Sequence, residues 1–408
     1  MVTGVNALVA VSTEELLQQY VDCVQRYEAT EHWGRQKRFA RQRERTFEAL
    51  NSRADGTARL LLPLRGHPDP VVRLSATIRC NSLDPGGCRE TMQMLAKKDG
   101  PIGQRAKYIL ASGKWRENYP LTNDWTDSEG FQGRSAKDVP VGVTRTELEE
   151  RVRAEFPDDL ARLILELVRP AIGAWPRQLR DDADPRGSCL GGLPLVPEEW
   201  TWPALDGEPM LFVGHVNCAE LAHLSEARVF PTGGIIAIFG EHDHLHCCTA
   251  GPNGEGAAVF YWPEIERLVP ASDPIPDFEP LPRCGLAFYN TYSLPDPRSE
   301  AIDRLPFDRD QQRRYRDLHA AVRSHGTNHR SFGELHVIKL LGWPDLVQCD
   351  LLPGPAGEHQ RLLLQLGSYD NAVTSHHWGP GGSVYFSISE ADLAEGRFER
   401  VRLESQIT

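Results

Sequence analysis

No Cys-x-x-Cys pair occurs in these 408 residues, although the chain holds nine cysteines. An odd number of scattered thiols fits neither a disulfide framework nor a cysteine-rich zinc module, and it implies a reducing compartment. Long apolar runs are missing too: none approaches the ~18–20 residues that a membrane-spanning helix needs. The short apolar stretch Leu8 to Val11 has no basic residue before it, so no secretory leader is expected, and the expected location is the cytoplasm. Also absent are the phosphate-cradling Gly-rich loop, the dinucleotide Gly-x-Gly-x-x-Gly, the His-Glu-x-x-His helix, the Gly-x-Ser-x-Gly elbow and the kinase motifs. An ordinary enzyme usually carries one such trace. No cofactor is expected.

What is present is the composition of an ordinary globular protein, with 40% hydrophobic and 25% charged residues. The length exceeds the ~100–200 residues of a typical domain, so two domains are expected. The net charge of −12 conceals an asymmetry. Residues 1 to 116 hold 19 Lys and Arg against 12 Asp and Glu, while the remainder holds 26 against 45.

The first part reads as helices. Ser12-Thr13-Glu14-Glu15 is a capping box, and Leu16, Tyr20, Cys23, Val24 and Tyr27 follow at helical spacing. The Arg-rich stretch Arg35 to Arg45, with Phe39, Phe47 and Leu50, predicts an amphipathic helix with a positive wet face. From Leu60 onward, Asp-Pro and Asp-Gly-Pro signals at Asp69, Asp84 and Asp99 recur every 15 or 16 residues, placing Asp caps and first-turn prolines at successive helix starts. Short helices at that period predict a stacked, HEAT-like array. Tyr119 to Val143 is poor in aliphatic residues and reads as a linker. The expected division is a helical domain over 1–116, a linker over 117–143 and a larger domain over 144–408.

That larger domain opens with a second capping box, Thr144 to Glu147, and an apolar helical stripe from Leu148 to Val168 that breaks near Pro157. Then comes Pro185 to Asn217, where Gly191, Gly192, Pro194 and Pro197 force an irregular loop ahead of Trp200 and Trp202. Met210 to Val216 reads as a buried strand, as do Gly234 to Phe239, Ala257 to Trp262, Leu286 to Tyr289, Arg361 to Leu366, Ser383 to Ile388 and Arg400 to Leu403. A helix is expected over Asp308 to Arg323. The fold class is therefore α+β: an all-α N-terminal domain followed by a larger α+β domain with mainly antiparallel sheet.

The order Gly-Gly-x-Pro-x-x-Pro, Trp-Pro, Gly-x-Pro, apolar strand and Asn217 resembles the opening of the YwqG-like family. Leu341-Gly342-Trp343-Pro344 with Gln348-x-Asp350, Leu362 to Leu366, and Trp378-Gly379 to Phe386 extend the likeness across residues 145 to 408. His215 stands where the family pattern has Gln. The first part resembles a small helical bacterial family carrying the same Leu-Leu-Pro-Leu and His-Pro-x-Pro-x-Val-Arg signature. Domains of both kinds resemble those met as immunity proteins of bacterial toxin systems. That resemblance implies a protein that binds and occludes a cognate toxin or effector. The acidic balance of the larger domain points to a basic surface on that partner, the lack of long apolar runs leaves no membrane partner expected, and the net charge of −12 disfavours nucleic acid.

Polar residues within the family motifs, Trp202, His215, Asn217, Gln348, Asp350 and Trp378, are the candidate groove; the bland alternative is that they satisfy buried backbone groups. No metal site belongs to the main reading. A metal-dependent hydrolase is the alternative: on an extended strand His242, His244 and His246 would share one face and suit zinc. An adaptor gripping nucleic acid through the helix at 35–45 is another. Ser188 lacks the nucleophile-elbow spacing and is expected to be structural.

Overall fold

In a computed structural model the described residues are 11–30, 33–51, 60–112, 141–180, 183–242, 245, 256–275, 278, 280–323, 338–354, 357, 359–370, 375–376, 378 and 381–407. The chain divides into two compact units, Met1–Glu129 and Gly130–Thr408.

The first unit is helical. α1 (Thr13–Ala29) begins at the Ser12 capping box, with Glu15 N donating to Ser12 Oγ at 3.2 Å and Ser12 N to Glu15 Oε2 at 2.9 Å. α2 (Trp33–Asn51) packs on α1. α3 (Pro70–Cys80) and α4 (Pro85–Ala96) start as their Asp-Pro signals dictate: Asp69 Oδ1 accepts from Val71 N at 2.9 Å and Asp84 Oδ1 from Gly87 N at 3.0 Å. α5 (Pro101–Ser112) completes the series, and α3, α4 and α5 pack on one another in chain order. Leu74, Ile78, Met92, Leu95, Ala106 and Ile109 form their shared core. The positive face expected of α2 is partly spent inside the unit. Arg43 is buried with its guanidinium 5.5 Å from the Tyr27 ring, and Arg38 lies over Phe39.

The second unit is built on one ten-stranded antiparallel sheet. Its strands are β1 (Arg169–Arg177), β2 (Cys189–Leu190), β3 (Leu211–Asn217), β4 (Ile235–Gly240), β5 (Ala257–Trp262), β6 (Cys284–Ser293), β7 (Ile338–Leu341), β8 (Gln360–Gly367), β9 (Ser383–Ser389) and β10 (Arg402–Gln406). Their order across the sheet is β10-β9-β8-β7-β1-β6-β2-β3-β4-β5. One face carries a continuous core of Ile172, Leu190, Val213, Ile238, Leu340, Leu364 and Phe386. The helices α6 (Arg145–Glu155), α7 (Asp158–Glu166) and α8 (Arg309–Arg323) share a separate core in which Leu148, Ile164, Tyr315 and Leu318 are buried. Val143, the last residue of the expected linker, is buried in that core.

The central strand β1 is the element the helical stripe concealed. Its Pro170 and Pro176 cannot donate to a ladder, and prolines are normally excluded from sheet interiors. The register bears on this: among the described residues β7 pairs only with Ala171 to Ala174, so both prolines lie where the described partner of β1 is β6 alone.

The sheet is also a duplication. β1–β5 and β6–β10 are two copies of one five-strand unit whose first strands are exchanged, so that β1 lies beside β7 and β6 beside β2. The correspondence is close in the second and third strands. Gly191 (φ 61°) and Gly192 (φ 77°) end β2, and Leu341 (φ 62°) and Gly342 (φ 71°) end β7, each pair followed by a proline at Pro194 or Pro344. The register breaks between Phe212 and Gly214 in one copy and between Leu362 and Leu364 in the other. Asn217 caps a single helical turn at Cys218–Leu221 after the third strand of the first copy, whereas Ser389 caps one at Glu390–Ala394 after the fourth strand of the second, so these two turns are not equivalent.

Candidate functional site

The duplication allows the two halves to be compared position by position. On the face opposite the continuous core, the register places Arg177, Gly285, Cys189, His215, Ala237 and Phe260 in a row across one half. The equivalent row in the other half is Tyr289, Gly173, Lys339, Gln365, Tyr385 and Glu404. The loop residue Leu195, buried over the first row, corresponds to Asp345 over the second. One half closes with apolar and aromatic groups. The other buries charge.

In the charged half Lys339 Nζ donates to Asp345 Oδ2 at 2.7 Å, and Gln365 Nε2 reaches the same oxygen at 3.2 Å. Gln365 Oε1 accepts from Asp345 N at 2.9 Å, and Tyr385 Oη donates to the Asp345 carbonyl at 2.7 Å. From α8, His319 Nε2 stands 3.7 Å from Asp345 Oδ1. Lys339, Asp345, Gln365 and His319 are all buried. Burial raises the Asp345 pKa, but the charges of Lys339, His319 and Arg323 outweigh it and hold the carboxyl below its usual value. His319 goes the other way. Burial outweighs the pull of Asp345 and lowers it to about 4, so it is neutral at pH 7. A cavity of about 50 Å³ adjoins this cluster, lined by Gly173, Tyr289, Thr291, His319, Arg323 and Lys339 among others. The signal for Lys339 was in the sequence: it is the one charge in the apolar strand Ile-Lys-Leu-Leu.

The six groove candidates are placed differently. Trp202 donates its Nε1 proton to the Met210 carbonyl at 2.8 Å and packs edge-on against Trp200, Phe239 and Phe278. His215 is buried on the same face, its Nε2 2.9 Å from the Gly187 carbonyl and its ring about 4 Å from Cys189 Sγ. Burial lowers its pKa to about 4. Asn217 caps the turn after β3, Oδ1 accepting from Ala219 N, and Nδ2 donates to the Arg186 carbonyl. Trp378 is buried in the core of the opposite face, with Nε1 donating to Gly367 O at 3.2 Å. Gln348 and Asp350 are exposed; Asp350 Oδ2 accepts from Glu300 N at 2.6 Å. Trp202 and Trp378 belong to different cores. The cavity is lined by none of the six.

Ser188 is buried, its Oγ accepting from Asn217 N at 2.9 Å, which is a structural role. Of the histidine cluster, His244 and His246 lie outside the described residues. Leu245 N donates to the Glu241 carbonyl at 3.0 Å. Among the described residues no group of three or more His, Cys, Asp or Glu could hold a metal ion. No helix among them is long and apolar enough to cross a membrane.

A family model described as a domain of unknown function (DUF1963) matches residues 188–406. No curated protein matches the chain. Among solved structures, the crystal structure of the protein RPA1889 from Rhodopseudomonas palustris CGA009 is similar at 20% identity and a TM-score of 0.24, covering 28% of this chain and 97% of that one.

Proposed function

The chain belongs to the DUF1963 family, and from that premise we propose that it works by binding: it is an immunity protein that occludes a cognate toxin or effector of basic surface. The observation that supports this reading is charge. Beyond residue 116 the chain holds 45 Asp and Glu against 26 Lys and Arg. A field of that sign speeds encounter with a basic partner and repels acidic ones. A second support is the use made of the motif residues. Trp202, His215, Asn217 and Trp378 give their hydrogen-bonding groups to nearby backbone, which fits a rigid binding scaffold.

The nucleic-acid reading is weakened by the burial of Arg43 within the first unit. The test is co-expression of the full chain with the product of the adjacent gene. Protection of the cell, together with a purified complex that weakens as salt rises from about 0.05 to about 0.5 M, which shortens the Debye length from roughly 14 to roughly 4 Å, is the expected result. Absence of both protection and binding rejects the proposal.

A further inference from the structure

The duplicated half shows what this fold requires and what it does not. Cys189, Leu195, His215, Ala237 and Phe260 close their half without a buried ion pair. The equivalent Lys339, Asp345, Gln365, Tyr385 and Glu404 belong to a half that takes a lysine and an aspartate out of water. Desolvating each ion costs several kcal/mol, and a well-packed apolar set at such positions is often as stable or more so. Folding therefore does not explain the charges.

The cavity beside them does have a use for charge. Gly173 lies between Tyr289 and Lys339, and a Cβ there would meet the Tyr289 ring at 2.2 Å, so the glycine is what lets that ring lie across the strand. A single buried water needs roughly 10–15 Å³, so about 50 Å³ holds a few waters or one compact ion. Two cations, Lys339 and Arg323, and one carboxylate, Asp345, line it, with His319 neutral. Asp296, also close to Arg323, already accepts from Arg298 Nε and N at 3.0 Å and from Leu346 N at 3.1 Å. Among the described residues one positive charge is left over. Arg323 Nε is buried and has no hydrogen-bond partner among the described residues, and Tyr289 lines the same cavity with its hydroxyl kept protonated by burial, which pushes its pKa up to about 12.

We infer that this cavity is a binding site for a small oxyanion, a carboxylate or phosphate group, held by Arg323 and Tyr289 with Lys339 behind them. Lys339, fixed by Asp345, supplies charge without having to reorganise, and Arg323 supplies planar donors suited to two oxygens. Tyr289, Thr291, Tyr292 and Arg323 in the lining are only half-buried.

Calorimetric titration of the full chain at low ionic strength, with inorganic phosphate and separately with acetate, tests this. Saturable one-to-one binding of either is expected; phosphate alone identifies a phosphoryl ligand, and acetate binding identifies a carboxylate. Arg323→Gln should weaken binding at least tenfold, and Tyr289→Phe several-fold with unchanged melting temperature. Should Arg323→Gln fail to fold, Tyr289→Phe decides alone. No saturable binding of either anion, equal affinity in the variants, or binding of a cation in their place overturns the inference. The outcome is independent of partner binding, since it is read without a toxin present.

Discussion

Gly191 has φ 61°, and a side chain there would place Cβ 2.2 Å from the Pro282 carbonyl oxygen. Gly207 has φ 77° with open space around it. Both positions carry the left-handed penalty, on the order of 1 kcal/mol, but only the first adds a clash with backbone. Chemical denaturation should therefore show Gly191→Ala losing clearly more than Gly207→Ala, by about 2 kcal/mol or more. Equal losses would mean that the Pro282 segment yields. Burial likewise sets the behaviour of His215, whose folded pKa of about 4 lies below the unfolded 6.5. Between those values the unfolded chain holds a proton that the folded one refuses, so stability is complete above pH 6.5 and falls as pH drops toward 4. The full loss is at most about 3 kcal/mol. His319 adds to the same window. His215→Gln, which installs the residue found at the equivalent Gln365, should flatten the pH dependence of the melting temperature between pH 6.5 and 4; an unchanged profile would place the acid sensitivity elsewhere.

At the scale of elements, the buried pair Lys339–Asp345 can be judged against its counterpart. Asp345→Leu alone leaves a buried lysine without its partner and should cost about 3–5 kcal/mol. Adding Lys339→Cys, so that the half copies Cys189 and Leu195, should recover most of that loss in thermal unfolding. A double variant as unstable as the single would show that the charges hold the fold together. How far this was legible in the sequence depends on local signals. The capped helices announced themselves, because Ser12, Asp69, Asp84 and Thr144 bond the amides next to them in the chain. β1 did not. Its Pro170, Gly173 and Pro176 break any period, and its place is fixed by partners more than 100 residues away. The duplication left only Gly-x-Pro after a strand, at Gly192 and Gly342, as its trace. Lys339, Asp345 and His319 come from three elements, and no spacing rule links them.

For the whole molecule the question is whether the two units work alone. Each has its own cores: Tyr20, Val24, Leu61 and Val72 with Leu74, Met92 and Ile109 in the first, and the sheet and helix cores in the second. Residues 1–116 and 141–408 should therefore fold when expressed separately, each with one cooperative transition. Their charges, 19 basic against 12 acidic before residue 117 and 26 against 45 after it, assign them different parts in the proposed binding. The acidic part carries the field that attracts a basic partner, so 141–408 alone should keep most of the protection against the toxin. The basic part repels such a partner at long range and can help only through a second, short-range contact. If it does, the tether raises the effective concentration of that contact and the full chain binds tighter than 141–408 by tenfold or more. Protection by residues 1–116 alone, with none from 141–408, would reverse the assignment, because charge would then have pointed to the wrong unit.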